Sequence, residues 1–247
     1  MATRLKNGVE VTDPRLGRIA QFDERSRGFA VRDHPDYLAA PVTKTWPLKL
    51  RLDQGNTSAC TGNSRTYDLA ASPKPLTLPG GKPFDQDFAQ ALYRLAQKND
   101  EWPGEDYEGS SVLGALKAAK ALGYVGEYRW AFGIDDVIGA LGSLGPVVFG
   151  TDWLEGMFDP DEQGVLNVTG DVAGGHAYIV RGVVLPRNGR ARPGGFPSIK
   201  TDVPLLRITN SWSETWGRNG EAVIRADQAE DLLKAQGEAA ITTVAFR

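Results

Sequence analysis

The hydrophobic and polar positions divide the chain into three stretches. Residues 1–45 are polar, rich in Arg and Asp, and carry no sustained hydrophobic period, while Pro14, Pro35, Pro41 and Pro47 interrupt any regular element. This predicts an extended arm that packs along the domain or reaches an assembly partner; a partly disordered tail fits the composition equally well. Helical spacing follows. SACTGNSRTYDLAA (58–71) predicts a short helix with Ser58 as N-cap, stopped by Pro73. In DQDFAQALYRLAQKN (85–99), Phe88, Leu92 and Leu95 recur on one face, with acids early and Lys98 late. SVLGALKAAKALG (111–123) predicts a third helix, capped by Ser110 or Ser111 and ended by Gly123, and IDDVIGALGSLG (134–145) a weaker fourth. The Pro/Gly-rich segment 72–84 and the segment 99–110 read as loops.

The pattern then changes. PVVFGTDW (146–153), HAYIVRGVVL (176–185), PLLRITNSW (204–212) and GEAVIRA (220–226) are rich in Val, Ile and Leu and are bounded by Gly, Pro and Asn, as strands are. QAEDLLKAQ predicts a late helix and AAITTVAF a closing strand, while 186–203 reads as a long exposed loop. A helical first half and a β-rich second half define an α+β chain. Its two lobes, about 46–133 and 134–247, would meet at a cleft.

Composition narrows the chemistry. The balance of 28 Lys and Arg against 31 Asp and Glu, net −3, gives no electrostatic reason to bind nucleic acid or an anionic membrane. A single Cys excludes an internal disulfide, Cys-rich zinc sites and cluster-type iron–sulfur ligation, and 2 His leave little room for a His-based metal site. No metal and no cofactor are expected. The first 29 residues lack the apolar core of a signal peptide, and no apolar run approaches the roughly 20 residues of a spanning helix. A cytoplasmic protein, or one released by lysis or built into a phage particle, is the expectation.

Three stretches carry candidate chemistry: LDQGNTSACTGNS (52–64), AGGHAYIV (173–180) and ITNSWSETWGRNGEAVI (208–224). Cys60 stands near a helix N-terminus, where unpaired N–H groups and the helix dipole favour a thiolate. His176 opens a strand in the other half and could take the thiol proton. Asn210, at another strand end, can accept from the imidazole and orient it. The Cys60 amide and the Gln54 side chain are natural donors to an oxyanion.

On these residues the chain resembles the papain family of cysteine peptidases. That family places a Gln six residues before its nucleophile, as Gln54 stands before Cys60. Its His lies in a stretch like HAVxxVGY, here HAYIVRGV, and its Asn opens one like NSWGxxWGxxGY, here NSWSETWGRNGE. The order Cys, His, Asn agrees, with His176 following Cys60 by 116 residues and Asn210 by 150. The resemblance covers about residues 46–226. It implies a papain-like two-lobe fold, with a helical lobe and an antiparallel β-barrel-like lobe flanking the active site. It also implies an acyl-enzyme peptidase acting on peptide or protein substrate. Cys60 would attack, His176 would pair with it and protonate the leaving amine, Asn210 would orient His176, and Gln54 would complete the oxyanion hole. Trp212 would shield the His176–Asn210 hydrogen bond, with Trp216 packed nearby. Gly109 and Ser110 would offer backbone hydrogen bonds to an extended peptide, and Gly175 would line the cleft where bulk is not tolerated.

Several positions depart from the family pattern. Thr57 replaces the upstream Cys, Thr61 the Trp after the nucleophile, and Ser213 the first Gly of the Asn stretch. These changes resemble a disulfide-free prokaryotic or phage branch. The arm is shorter than the helical inhibitory propeptide of many members, so zymogen control is not expected from the resemblance. Two other readings stay open: a cell-wall peptide or isopeptide hydrolase, and a catalytically weak structural component such as a virion protein. His34 reads as solvated, and the loop 159–164 fails as an EF-hand because Gly170 stands where Glu is needed.

Overall fold

A computed structural model describes residues 3–4, 10–71, 73 and 75–244. Strands β1 (Thr3–Arg4) and β2 (Glu10–Val11) pair antiparallel. The arm then runs extended, through 3-10 turns at Glu24–Gly28 and Val31–Asp33, to β3 (Lys44–Thr45). Three helices follow: α1 (Cys60–Ala70), α2 (Gln86–Asn99) and α3 (Val112–Ala121). Next come β4 (Glu127–Trp130), α4 (Ile134–Ser143), β5 (Val147–Leu154) and β6 (Val172–Val184). The chain ends with β7 (Arg190–Ala191), β8 (Ile199–Lys200), β9 (Leu205–Thr209), β10 (Glu221–Arg225), α5 (Ala226–Lys234) and β11 (Glu238–Val244).

The main sheet is antiparallel, in the order β10-β9-β6-β5-β11-β4, with β3 added against β6. Its alternation explains the strands' unbroken apolar runs. Val148, Ala177 and Ala240 face α1–α3 and join Leu92, Leu113 and Leu116 in one core. Their neighbours Phe149, Tyr178 and Ile241 face the other way, into a core with Val137 and Leu141 of α4 and Leu232 of α5. Strands buried on both faces need apolar residues at every position. No described helix is long and apolar enough to cross a membrane.

The predicted caps divide. Asp85 accepts from the Phe88 amide at the start of α2, and Ser111 from the Gly114 amide at the start of α3. Ser58 does not cap α1. The helix starts behind Ala59 without a side-chain cap, and Ser58 Oγ instead donates to the Pro14 carbonyl of the arm at 2.9 Å. The loop at 186–203 contains the short β7–β8 ribbon, and EYRW, which carries no strand alternation of its own, forms β4 against β11.

Candidate functional site: a cleft filled by the chain's own arm

His176 and Asn210 come together because β6 and β9 are neighbours, with Ile179 opposite Thr209. His176 Nε2 and Asn210 Oδ1 are 2.8 Å apart and both residues are buried. The Ser211 amide also donates to Asn210 Oδ1 at 2.8 Å, which fixes that atom as the oxygen. Nε2 therefore carries the ring proton, and Nδ1 keeps its lone pair for the other side. Among the described residues Nδ1 has no hydrogen-bond partner, the Cys60 sulfur included, although the Arg15 backbone lies beside the ring. Aromatic rings close around this bond. Trp153 meets His176 edge-on at 4.9 Å between centroids, and Trp212 lies at 4.8 Å. Phe158 stacks on Trp212, and Trp216 packs behind it.

Cys60 is the first residue of α1 and is fully buried. The amides of Ala177, Gly17 and Thr61 approach its sulfur, yet burial pushes the thiol up to about 11. Burial likewise pushes the His176 imidazole down to about 4, against the opposing effect of the Asn210 bond. At neutral pH the pair is uncharged. Gln54 is held from two sides. Its amide nitrogen in the backbone donates to the Ser211 carbonyl at 2.8 Å, and its Oε1 accepts from Ser211 Oγ at 2.7 Å. That leaves Nε2 to donate, and it does so to the Thr57 carbonyl and, at 3.0 Å, to the carbonyl of Arg15.

Arg15 belongs to the arm, and the arm occupies the cleft. Ser110 N–H donates to the Gly17 carbonyl at 2.9 Å, Ile19 N–H donates to the Ser110 carbonyl at 2.9 Å, and Arg18 N–H donates to the Gly175 carbonyl at 3.0 Å. Arg18 and Ser110 thus form a parallel bridge. The fit requires glycine at the crossing. A Cβ on Gly17 would sit 2.1 Å from the Ser58 carbonyl oxygen, and one on Gly175 2.2 Å from the Arg18 carbonyl oxygen. Gly109, at φ +86°, would place a Cβ 2.8 Å from the Gly17 carbonyl oxygen. The Arg15 guanidinium lies over the Trp212 ring at 4.1 Å.

Gln54, Cys60, His176, Gly109, Ser110 and Gly175 therefore line one groove with Trp212 at its β-rich wall, while Asn210 reaches it only through His176 and Trp216 only through Trp212. Three participants were not singled out in the sequence. Trp153 lies in β5, whose Thr151 pairs with His176, a relation visible only once the strands are aligned. Ser211 follows Asn210 directly and fixes the Gln54 amide. The arm residues Arg15–Ile19 carry no periodic signal, because their hydrogen bonds go to the cleft walls. Among the described residues, no group of three or more His, Cys, Asp or Glu could hold a metal ion.

No protein-family model and no curated protein matches the chain. Solved structures do. Xylellain, a cysteine protease from Xylella fastidiosa, is similar over 95% of this chain and 98% of its own, at 16% identity and a TM-score of 0.66. Digestive procathepsin L 3 of the Tenebrio molitor larval midgut is similar over 95% of this chain and 75% of its own, at 14% identity and a TM-score of 0.56. Recombinant stem bromelain precursor follows over 94% and 78%, at 13% identity and a TM-score of 0.53. The chain has the papain-like fold.

Proposed function

We propose that the chain is a cysteine peptidase, held latent while its arm lies in the cleft. The observation that carries this reading is the arm itself. An extended polypeptide is seated between both walls, one of its carbonyls on the Gln54 amide and its glycine against the Cys60 sulfur. A substrate peptide in the arm's place would meet the same donors. His176 Nδ1 would take the Cys60 proton, and the thiolate would attack the scissile carbonyl carbon. The oxyanion would rest on Gln54 Nε2 and the Cys60 amide. Collapse of the adduct breaks the C–N bond, with the His176 proton going to the leaving amine, and leaves a thioester. Water, deprotonated by His176, then hydrolyses the thioester and releases the acid and the free thiol.

The arm is not itself presented for cleavage. At the sulfur it offers the Gly17 amide N–H, and the carbonyl on Gln54 belongs to Arg15, two residues away. Opening the cleft is the key to the test. A Cβ at position 17 overlaps rigid backbone, so Gly17→Val is expected to expel the arm. In that variant iodoacetamide is expected to label Cys60 rapidly at neutral pH, and peptide cleavage is expected to appear and to vanish when Cys60→Ala is added. Slow labelling of Cys60 in the open variant, or cleavage that survives Cys60→Ala, would sink the reading.

A further inference from the structure

The groove wall that carries Gly109 and Ser110 belongs to the loop between α2 and α3. That loop has no hydrophobic period of its own and, in a chain with one Cys, no disulfide to hold it. Its last two groove residues use their backbones in opposite directions. Both polar groups of Ser110 face the arm, the N–H donating to the Gly17 carbonyl and the carbonyl accepting from the Ile19 N–H. Both polar groups of Gly109 face α2. Its N–H donates to the Tyr93 hydroxyl oxygen at 2.7 Å, and its carbonyl accepts from Gln97 Nε2 at 3.3 Å. Tyr93 and Gln97 stand four residues apart on one face of α2, and both are fully buried. Gln97 Nε2 shares its protons between the Gly109 carbonyl, the Tyr107 carbonyl and, at 3.2 Å, the Tyr93 hydroxyl oxygen. The Tyr93 hydroxyl proton goes to Glu108 Oε2 at 3.3 Å.

The helix that bears Cys60 fixes where Tyr93 stands. α1 and α2 touch at Gly62, where a Cβ would sit 2.4 Å from the Ala89 carbonyl oxygen and 2.7 Å from Tyr93 Cβ. The Tyr93 side chain thus spans from the first turn of α1 to the groove wall, a rigid spacer between the proposed nucleophile and the strip that holds a peptide backbone. One carboxylate ties the rest of the loop: Asp100 accepts from the Trp102 amide at 3.1 Å, the Tyr107 hydroxyl at 2.6 Å and Ser110 Oγ at 2.9 Å. Without the phenol oxygen, the buried Gly109 N–H would be left unpaired, and the wall would have to shift to satisfy it. A peptide would then have to order the wall as well as itself, which weakens binding without touching the reacting atoms.

Resting on the peptidase reading, we infer that Tyr93, with Gln97 beside it, is a positioning residue: its hydroxyl pins the Gly109 backbone to α2, so that Ser110 presents one donor and one acceptor to a bound peptide at a set distance from Cys60. The test uses the full chain carrying Gly17→Val, with and without Tyr93→Phe, which keeps the ring and removes the acceptor. For a fluorogenic peptide that spans the groove, Tyr93→Phe is expected to raise KM about tenfold and to leave kcat within about twofold, with the iodoacetamide rate at Cys60 unchanged. An unchanged KM, or a loss confined to kcat, would overturn the assignment and leave the peptidase reading standing. A Gly17→Val chain that cleaves nothing and whose thiol is inert would instead sink the peptidase reading. The positioning role is then read by equilibrium binding of a free peptide with the sequence of residues 10–21. Its Kd is expected to rise about tenfold with Tyr93→Phe, which a loss of stability alone does not cause in a chain that stays folded. An unchanged Kd also overturns the role. Should Tyr93→Phe fail to fold, Gln97→Met removes the donor to the Gly109 carbonyl and is read by the same two measurements, with the same outcomes deciding.

Discussion

Ser211 shows how much one hydroxyl can do beside a proposed oxyanion donor. A glutamine side chain has two ends that differ only in which atom donates, and an oxyanion needs the NH2 end. Ser211 Oγ donates to Gln54 Oε1, so the NH2 end must turn toward the cleft. Ser211→Ala removes one neutral hydrogen bond, about 1 kcal/mol, so on the proposed reading acylation of the arm-released Gly17→Val chain is expected to slow roughly fivefold. Burst kinetics with an activated ester would measure it, and an unchanged rate would show that backbone bonds alone hold the amide. Gly17 is a different case. Its role is visible only in what a methyl group would strike, the Ser58 carbonyl across the groove. Nothing in the local sequence DPRLGR marks it.

Among the elements, β9 and β10 hold Asn210 in place through a charged node in their pairing. Glu221, 2% exposed and opposite Thr209, accepts from Arg51 at 2.8 Å, from Arg207 Nε at 2.8 Å, and from Arg181. Arg181 sits where the β6–β9 register shifts, and its Nη1 reaches the Trp46 carbonyl at 3.0 Å. Glu221→Ala would leave buried Arg181 without its anion, a loss of about 3–5 kcal/mol by analogy with other broken buried pairs. Urea unfolding would read it, and a loss below about 1 kcal/mol would mean that the arginines find other partners. The same elements show what the sequence made legible. The apolar runs of β5, β6, β9 and β10 and the spacing in α2 and α3 are local signals, and they located those elements within a few residues. The Gln54, Cys60, His176 and Asn210 stretches were legible as motifs. The start of α1 was not, because Ser58 spends its hydroxyl on Pro14, a residue distant in sequence. The path of the arm was not legible either. Its backbone bonds run to Ser110 and Gly175, and such pairing leaves no period in the arm itself.

For the whole molecule, closure and proton uptake are linked. The imidazole of His176 titrates near 6.5 when hydrated and is pushed down to about 4 by burial in the closed form. An opening that returns it to water binds the extra proton between those values, so the closed form is fully favoured above about 6.5. It loses up to roughly 3 kcal/mol as pH falls toward 4, below which the loss stops growing. Glu238 acts in the other direction, since burial raises its carboxyl and the closed form takes up that proton more readily. Hydrogen exchange, corrected for the intrinsic rate, is expected to show the Arg18 and Ile19 amides losing protection from pH 7 to pH 4. His176→Gln is expected to flatten that dependence, and protection that stays constant in the parent chain would contradict the linkage.

The arm rejoins the sheet at β3 through residues 38–44, all of which are exposed. A segment held on such a tether is present at its own groove at an effective concentration on the order of millimolar, whatever the concentration of the protein. A peptide from outside must outcompete that local supply, while the arm needs no more than modest intrinsic affinity to stay seated. One cut within the exposed tether would leave the arm's contacts in the groove unchanged. It would make the arm an ordinary bimolecular ligand, which dilution alone can remove.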